Sequence, residues 1–289
     1  MPVAMNTDYA ATIGFFDGVH SGHRFLIDCL RRTAQEQGLR SAVVTFTTHP
    51  RQVLDGPSPA LLTTCNERMD LLRATGIDNI FDFDFADIQS LTSAEFMALL
   101  SEQYHVRTLL MGYDHRFGSD RLNGIEAYRQ AAQGIDIRIQ AIAQAPEGAV
   151  SSSAIRRALS AGDVEGANKM LGYTYSMSGD IVHGKGIGRQ LGFPTANIQV
   201  AKDKLIPKNG VYAVEAEWGN EHHPAIVNIG TNPTIGNERT SIEVHIPGFQ
   251  GSLYGQRLTI RLLRYIRAEK KFATLDELKR QILSDVQSL

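Results

Sequence analysis

Two histidines, His20 and His23, stand three residues apart in GFFDGVHSGH, residues 14–23, among glycines and an aspartate. Gly14 and Gly18 would let the backbone of Gly14, Phe15, Phe16, Asp17 and Gly18 approach a ligand closely. A helix starting just after them would offer unpaired N–H groups to an anion. Imidazoles near that end could donate hydrogen bonds to phosphate oxygens whose charge grows during transfer. The same pair could bind a metal, or sit on the surface of a plain turn. A second candidate is Glu243 in IEVHI, residues 242–246. Alternation places it on the strand face opposite the apolar residues. It could serve as a base there, or simply face solvent. GKGIGRQLG, residues 184–192, is neither G-x-G-x-x-G, because position 189 is Arg, nor a Walker loop. Gly184, Gly186 and Gly188 could still form a phosphate-holding flap, with Lys185 reaching phosphate or solvent.

These residues need elements to position them. In the first half, short apolar strands alternate with amphipathic helices. Strands are expected at Ala10–Phe16, Ser41–Phe46, Asn79–Phe85, Val106–Met111 and Ile135–Ile142. Helices are expected at Gly22–Gln37, after the capping boxes Thr64/Glu67 and Thr92/Glu95, and at Gly124–Gln133. This alternation implies a parallel sheet covered on both faces, with ligands at the carboxyl ends of its strands. The Gly14–His23 stretch lies at one such end. After a helical stretch Ser153–Leu171, the second half changes to closely spaced strands, among them Val211–Trp218, Ala225–Ile229, Ser241–Ile246 and Arg257–Tyr265. That spacing suggests an antiparallel barrel. Gly219–Pro224 reads as a hairpin loop holding an exposed His222 and His223 that bind no metal. Thr274–Val286 reads as a closing helix with a capping box at Thr274/Glu277 and an apolar face of Leu275, Leu278 and Ile282. The border falls near Gly172.

Bulk properties exclude several classes. The 289 residues suit two domains, and 43% hydrophobic content is enough for real cores. A net charge of −2 without a basic run argues against nucleic acid as a partner. Cys29 and Cys65 lack metal-ligand spacing, and Cys29 reads as a small core residue. The N-terminus does not read as a signal peptide and no run approaches a membrane span, so a soluble cytoplasmic protein is expected.

In order along the chain, G-x-F-D-G-x-H-x-G-H resembles the nucleotidyltransferase signature, and the other segments resemble the bacterial bifunctional riboflavin kinase/FAD synthetases. They are TFTTHPRQVL (45–54), MGYDHRFG (111–118), VSSSAIRRAL (150–159), GKGIGRQLGFPTANI (184–198), NIGTNPT (228–234) and IEVHI. The resemblance implies a Rossmann-like FMN adenylyltransferase domain over residues 1–172. It also implies an antiparallel β-barrel riboflavin kinase domain with a terminal helix over 173–289. Riboflavin, ATP and FMN would be substrates, FAD the product and Mg²⁺ the cofactor. Partners would be small molecules alone, without nucleic acid or membrane; the sequence leaves the oligomeric state open.

On that resemblance His20 and His23 contact the ATP phosphates. Ser152, Ser153 and Arg156, at a helix start, meet the leaving pyrophosphate, and Asp114 contacts the nucleotide. Glu243 is the base that takes the proton of the ribityl hydroxyl. Thr195 and Asn197, two apart in an extended segment, offer a hydroxyl and an amide oxygen to Mg²⁺ and phosphate. The glycines and Lys185 of the flap, with Asn228, complete the phosphate-binding set. Ser153 stands where the family usually has Thr, His115 where Phe is common and Thr48 where Pro is usual.

Overall fold

The computed structural model describes residues 7–54, 58–112, 115–142, 150–183, 188, 192–234 and 237–289, with backbone alone at 232–234 and 237–239. Asp114, Gly184, Lys185 and Gly186, expected at binding sites, lie outside the described residues. Two compact units divide the chain: Met1–Pro59 with Thr63–Ser151, and Ala60–Leu62 with Ser152–Leu289.

The first unit runs β1 (Tyr9–Ile13), α1 (Ser21–Gln37), β2 (Arg40–Phe46), α2 (Pro50–Val53), α3 (Cys65–Arg73), β3 (Asn79–Phe83), α4 (Phe85–Ile88), α5 (Ser93–Tyr104), β4 (Val106–Met111), α6 (Ile125–Ala131) and β5 (Arg138–Ala141). The strands pair in parallel in the order β3-β2-β1-β4-β5. Alternation along β1 sends Ala11 and Ile13 into one core with Val44, Met97 and Leu109, and Ala10 into another with Ile27, Leu30 and Val43. The sheet is therefore covered on both faces, which is why its strands read as continuous apolar runs. Strand order reverses beside β1, between β2 and β4, where such sheets hold ligands. Both expected capping boxes are present, at Thr64/Glu67 and Thr92/Glu95.

The second unit contains α7 (Ser152–Ala161), α8 (Val164–Leu171), β6 (Ser176–Val182), β7 (Thr195–Val200), β8 (Gly210–Trp218), β9 (Glu221–Thr234), β10 (Asn237–His245), β11 (Arg257–Arg267) and α9 (Leu275–Gln287). The strands close an antiparallel barrel in the order β10-β7-β6-β11-β8-β9. Residues 60–62 attach to this unit: the Leu61 N–H donates to Asp203 O, and Leu61 O accepts from the Leu205 N–H.

Four expectations need correction. The single stretch Ser153–Leu171 is two helices, because Gly162 takes φ +89 and Asp163 caps α8 by accepting the Gly166 N–H at 2.9 Å. Both helices pack with the barrel, where Asn168 Nδ2 donates to Leu262 O at 2.9 Å, upstream of the Gly172 border. His222 and His223 lie in strand β9, not in a loop, because the turn needs only Gly219 and Asn220, with Gly219 at φ +56. In α9, Leu275 is 63% exposed, so it is not on the buried face. The Thr274 box is also half made, since the Glu277 carboxylate takes the Ala273 N–H.

What fastens α9 is ionic. Asp285, 4% exposed, accepts from Arg267 Nη2 at 2.7 Å and from Arg267 Nε at 3.0 Å. Removing one partner strands the other in a poorly solvated site. Asp285→Ala should cost about 3 kcal/mol of barrel stability, read by urea denaturation through the fluorescence of Trp218, the single tryptophan. A loss below about 1 kcal/mol, the range of exposed pairs, would show that this contact does not fasten the helix.

Candidate active sites

In the first unit, the chain leaves β1 through a turn that only a few residues allow. Gly14 donates its N–H to Val44 O at 3.0 Å. Phe16 takes φ +57 and folds its ring back, so that a Cβ on Gly14 would lie 2.9 Å from Phe16 Cε2. Burial of the Phe16 ring against Val19 and Ile27 offsets that left-handed backbone. Phe15 packs elsewhere, 4.0 Å from the Arg68 guanidinium and edge to face with His49. Asp17 is buried, and its Oδ1 accepts from the Thr63 N–H at 3.1 Å and from Thr63 Oγ1 at 3.2 Å. Thr63 Oγ1 in turn accepts the Gly18 N–H at 3.0 Å. Thr63 thus clasps the turn. No local pattern marks Thr63, which looks like one more hydroxyl before the Thr64 cap.

His20 is the N-cap of α1, where its Nδ1 accepts the His23 N–H at 3.3 Å. The two imidazoles stack at 3.6 Å, with Phe16 edge-on to His23. Burial pushes the His20 pKa from 6.5 down to about 4, with the Asp17 carboxylate offsetting part of the fall. Burial, with His20 adding, holds His23 well below the ordinary value. Both rings are therefore neutral at pH 7. Because His20 Nδ1 accepts a hydrogen bond, its proton sits on Nε2. His23 Nδ1 is buried and has no hydrogen-bond partner among the described residues. Among the described residues no three His, Cys, Asp or Glu side chains gather to hold a metal. The pair offers neutral N–H donors.

In the second unit, Ser152 and Ser153 open α7 as expected, and Arg156 Nε donates to Ala60 O at 2.8 Å. On the barrel, β10 runs between β7 and β9. Its register sets Glu243 opposite Asn197 on one side and Asn228 on the other, and His245 opposite Thr195 and Ile226. Opposed residues share a face, with Cβ atoms about 4.5–5.5 Å apart. Ile242, Val244 and Ile246 are buried on the other face, so the alternation read from the sequence holds. Glu243, Asn228, Thr195 and Gly188 line one cavity of about 350 Å³, walled by Phe193, Val211, Phe272, Leu278 and Ile282. Thr195 and Asn197 line a second cavity, of about 500 Å³, with Phe249, Ser252 and Tyr254. Thr195 therefore borders both. Gly188 has its own constraint: a Cβ there would lie 2.3 Å from Phe193 O and 3.4 Å from Thr195 Oγ1. A hydroxyl and an amide oxygen on one strand face are hard, neutral donors. They suit a cation that keeps several waters and shares phosphate oxygens, as Mg²⁺ does. The α9 residues Leu278 and Ile282 were legible as an apolar face, but their facing a cavity was not.

The FAD synthetase family matches residues 3–154, and the riboflavin kinase family matches residues 171–289. The bifunctional riboflavin kinase/FMN adenylyltransferase of Escherichia coli K12 is 37% identical over 283 residues, 95% of this chain and 89% of that one. The same-named protein of Listeria monocytogenes is 35% identical over 280 residues, again 95% and 89%. The crystal structure of a macrolide-efflux protein from Streptococcus pneumoniae aligns with a TM-score of 0.88 at 30% identity, covering 99% of this chain and 95% of that one. Among the described residues of this chain, no helix is long and apolar enough to cross a membrane.

The buried histidines make stability depend on pH. The unfolded chain binds a proton at His20 below about pH 6.5, whereas the folded chain resists it until about pH 4. The contribution is thus complete above pH 6.5 and shrinks as pH falls toward 4, by about 1–3 kcal/mol. His20→Asn keeps a capping oxygen and should flatten the urea-unfolding free energy across that window. An unchanged slope would mean that the His20 ring is not held neutral.

Proposed function

The chain belongs to the bifunctional riboflavin kinase/FMN adenylyltransferases, and from that premise we propose which residues carry its two reactions. Riboflavin is phosphorylated with ATP to FMN, and FMN is adenylylated with a second ATP to FAD and pyrophosphate. We assign the first step to residues 173–289 and the second to residues 1–172, in the cytoplasm and on small molecules alone.

In the kinase step the terminal ribityl hydroxyl of riboflavin attacks the γ-phosphate of ATP. An alcohol is a weak nucleophile, so a base must orient it and take its proton. Glu243 is that base, and Asn228 beside it holds the reacting groups. The observation that carries this reading is the row Asn197, Glu243, Asn228 across three strands. The apolar cavity that contains Glu243 suits the flavin ring, and the larger cavity beyond Thr195 suits the nucleotide. Thr195 and Asn197 would hold Mg²⁺, which when bound neutralises phosphate charge. The glycine flap, with Lys185 and Gly188, backs the phosphates.

In the adenylyl step the FMN phosphate is already an anion and needs no activation. It attacks the α-phosphate, and the task is to bring two anions together and stabilise the charge that moves to the leaving group. The Gly14–Gly18 turn, shaped by Asp17 and by the Phe15 and Phe16 rings, presents backbone to phosphate. His20 and His23 donate N–H groups to it. Asp114 as a nucleotide contact, and Ser152, Ser153 and Arg156 on pyrophosphate, follow from the sequence resemblance.

The two halves should separate by mutation. With riboflavin, ATP and Mg²⁺, chromatography should show FMN and then FAD. Glu243→Ala should slow FMN formation by about 10²–10⁴-fold and still convert supplied FMN to FAD. His23→Ala should slow FAD formation by about 10²–10³-fold and leave FMN formation intact. A Glu243→Ala chain that phosphorylates riboflavin normally would remove Glu243 as the base. Chelating divalent cations with EDTA should stop both steps, and excess Mg²⁺ should restore them.

A further inference from the structure

His245 has no part in the reactions assigned above, yet it borders the same cavity as Glu243. It lies two residues further along β10, so its side chain projects from the same barrel face. The β10–β7 ladder ends at the pair His245/Thr195. The next residue of β7's chain is Pro194, which has no N–H to continue a ladder. Here the side chain takes over. His245 Nδ1 lies 3.0 Å from Pro194 O. A carbonyl only accepts, so this nitrogen carries the proton and donates. The His245 ring also meets Phe193 edge to face at 5.4 Å. Phe193 in turn donates its N–H to Gly188 O at 2.8 Å. Both residues that precede Thr195 are thus fastened, and Gly188 is packed too tightly against them to admit a Cβ.

We propose that His245 is a positioning residue for phosphoryl transfer. By holding the Pro194 carbonyl, it sets the Thr195 hydroxyl and the Gly188 backbone relative to Mg²⁺ and the phosphates. The proposal rests on Thr195 being a ligand in the kinase step. The part of the imidazole that matters is Nδ1–H, not Nε2. Asparagine can place an amide N–H where Nδ1–H stands, while glutamine places one nearer the Nε2 position.

The test uses the full chain with His245→Ala, His245→Asn, His245→Gln and Thr195→Ala. The readouts are kcat and KM for FMN formation across Mg²⁺ concentrations, and calorimetric binding of ADP with and without Mg²⁺. The fluorescence of Trp218, in barrel strand β8, monitors folding. His245→Ala should lower kcat/KM for ATP by about 10–100-fold, the usual effect of losing a group that orients a metal ligand. It should also raise the Mg²⁺ needed for half-maximal ADP binding. His245→Asn should recover most of both and His245→Gln should not. Adding His245→Ala to Thr195→Ala should cost little more, because the two act through one group. A shift in Mg²⁺ dependence with Thr195→Ala but none with His245→Ala overturns the proposal alone. No shift with Thr195→Ala overturns the ligand assignment and the proposal with it. Rescue by Gln as good as by Asn, or a change confined to riboflavin affinity, also overturns the proposal.

Discussion

Strand register is the constraint on which the row Asn197, Glu243, Asn228 depends. Antiparallel pairing has a side-chain period of two, so slipping β10 by one residue would turn Glu243 into the barrel and Ile242 out of it. The native register is fixed by burial of Ile242, Val244 and Ile246 on the inner face. The same apolar energy that closes the barrel therefore aligns Asn197, Glu243 and Asn228 on the outer face. Closure itself leaves no strand edge on which the register could drift. Precision at the polar row is set by packing on the opposite face of the same strand.

The adenylyl half relies on a different device. A parallel sheet presents the end of its central strand where the strand order reverses, and β1 delivers the Gly14–Gly18 turn there. The turn is shaped from within: Phe16 buries its ring behind the backbone, and Thr63 ties Asp17 to Gly18. His20 then both caps α1 and stacks on His23. Two stacked cations at this separation would repel strongly in a site of low dielectric. Neutrality is the condition under which the stack can exist.

Much of this was legible in the sequence. The helix–strand alternation, both capping boxes of the first unit and the alternation around Glu243 are local patterns, and local patterns survive into the fold. Boundaries were less legible where a single residue decides. Gly162 and Asp163 break an otherwise helical run, and the Gly219–Asn220 turn is shorter than its polar surroundings suggest. What sequence could not supply were contacts between distant segments. Thr63 clasping Asp17, Arg267 reaching Asp285 and His245 reaching Pro194 span 46, 18 and 51 residues. Only the fold brings such pairs together, and composition carries no trace of them. The roles proposed for Asp114, Gly184, Lys185 and Gly186, which lie outside the described residues, rest on the sequence alone.

The neutral histidine stack also determines how the turn after β1 meets an anion. A fixed cation attracts every anion in solution, and its reach is set by the ionic atmosphere, about 8 Å at physiological salt. An uncharged N–H dipole has little reach and acts only on a group already in hydrogen-bonding position. In the role proposed for them, His20 and His23 would contribute short-range geometry and no long-range pull. Their share of the interaction should be nearly indifferent to ionic strength, and simple inorganic anions gain little by approaching them. A charge-free pair of this kind sorts ligands by fit, and it leaves attraction at a distance to groups elsewhere on the chain.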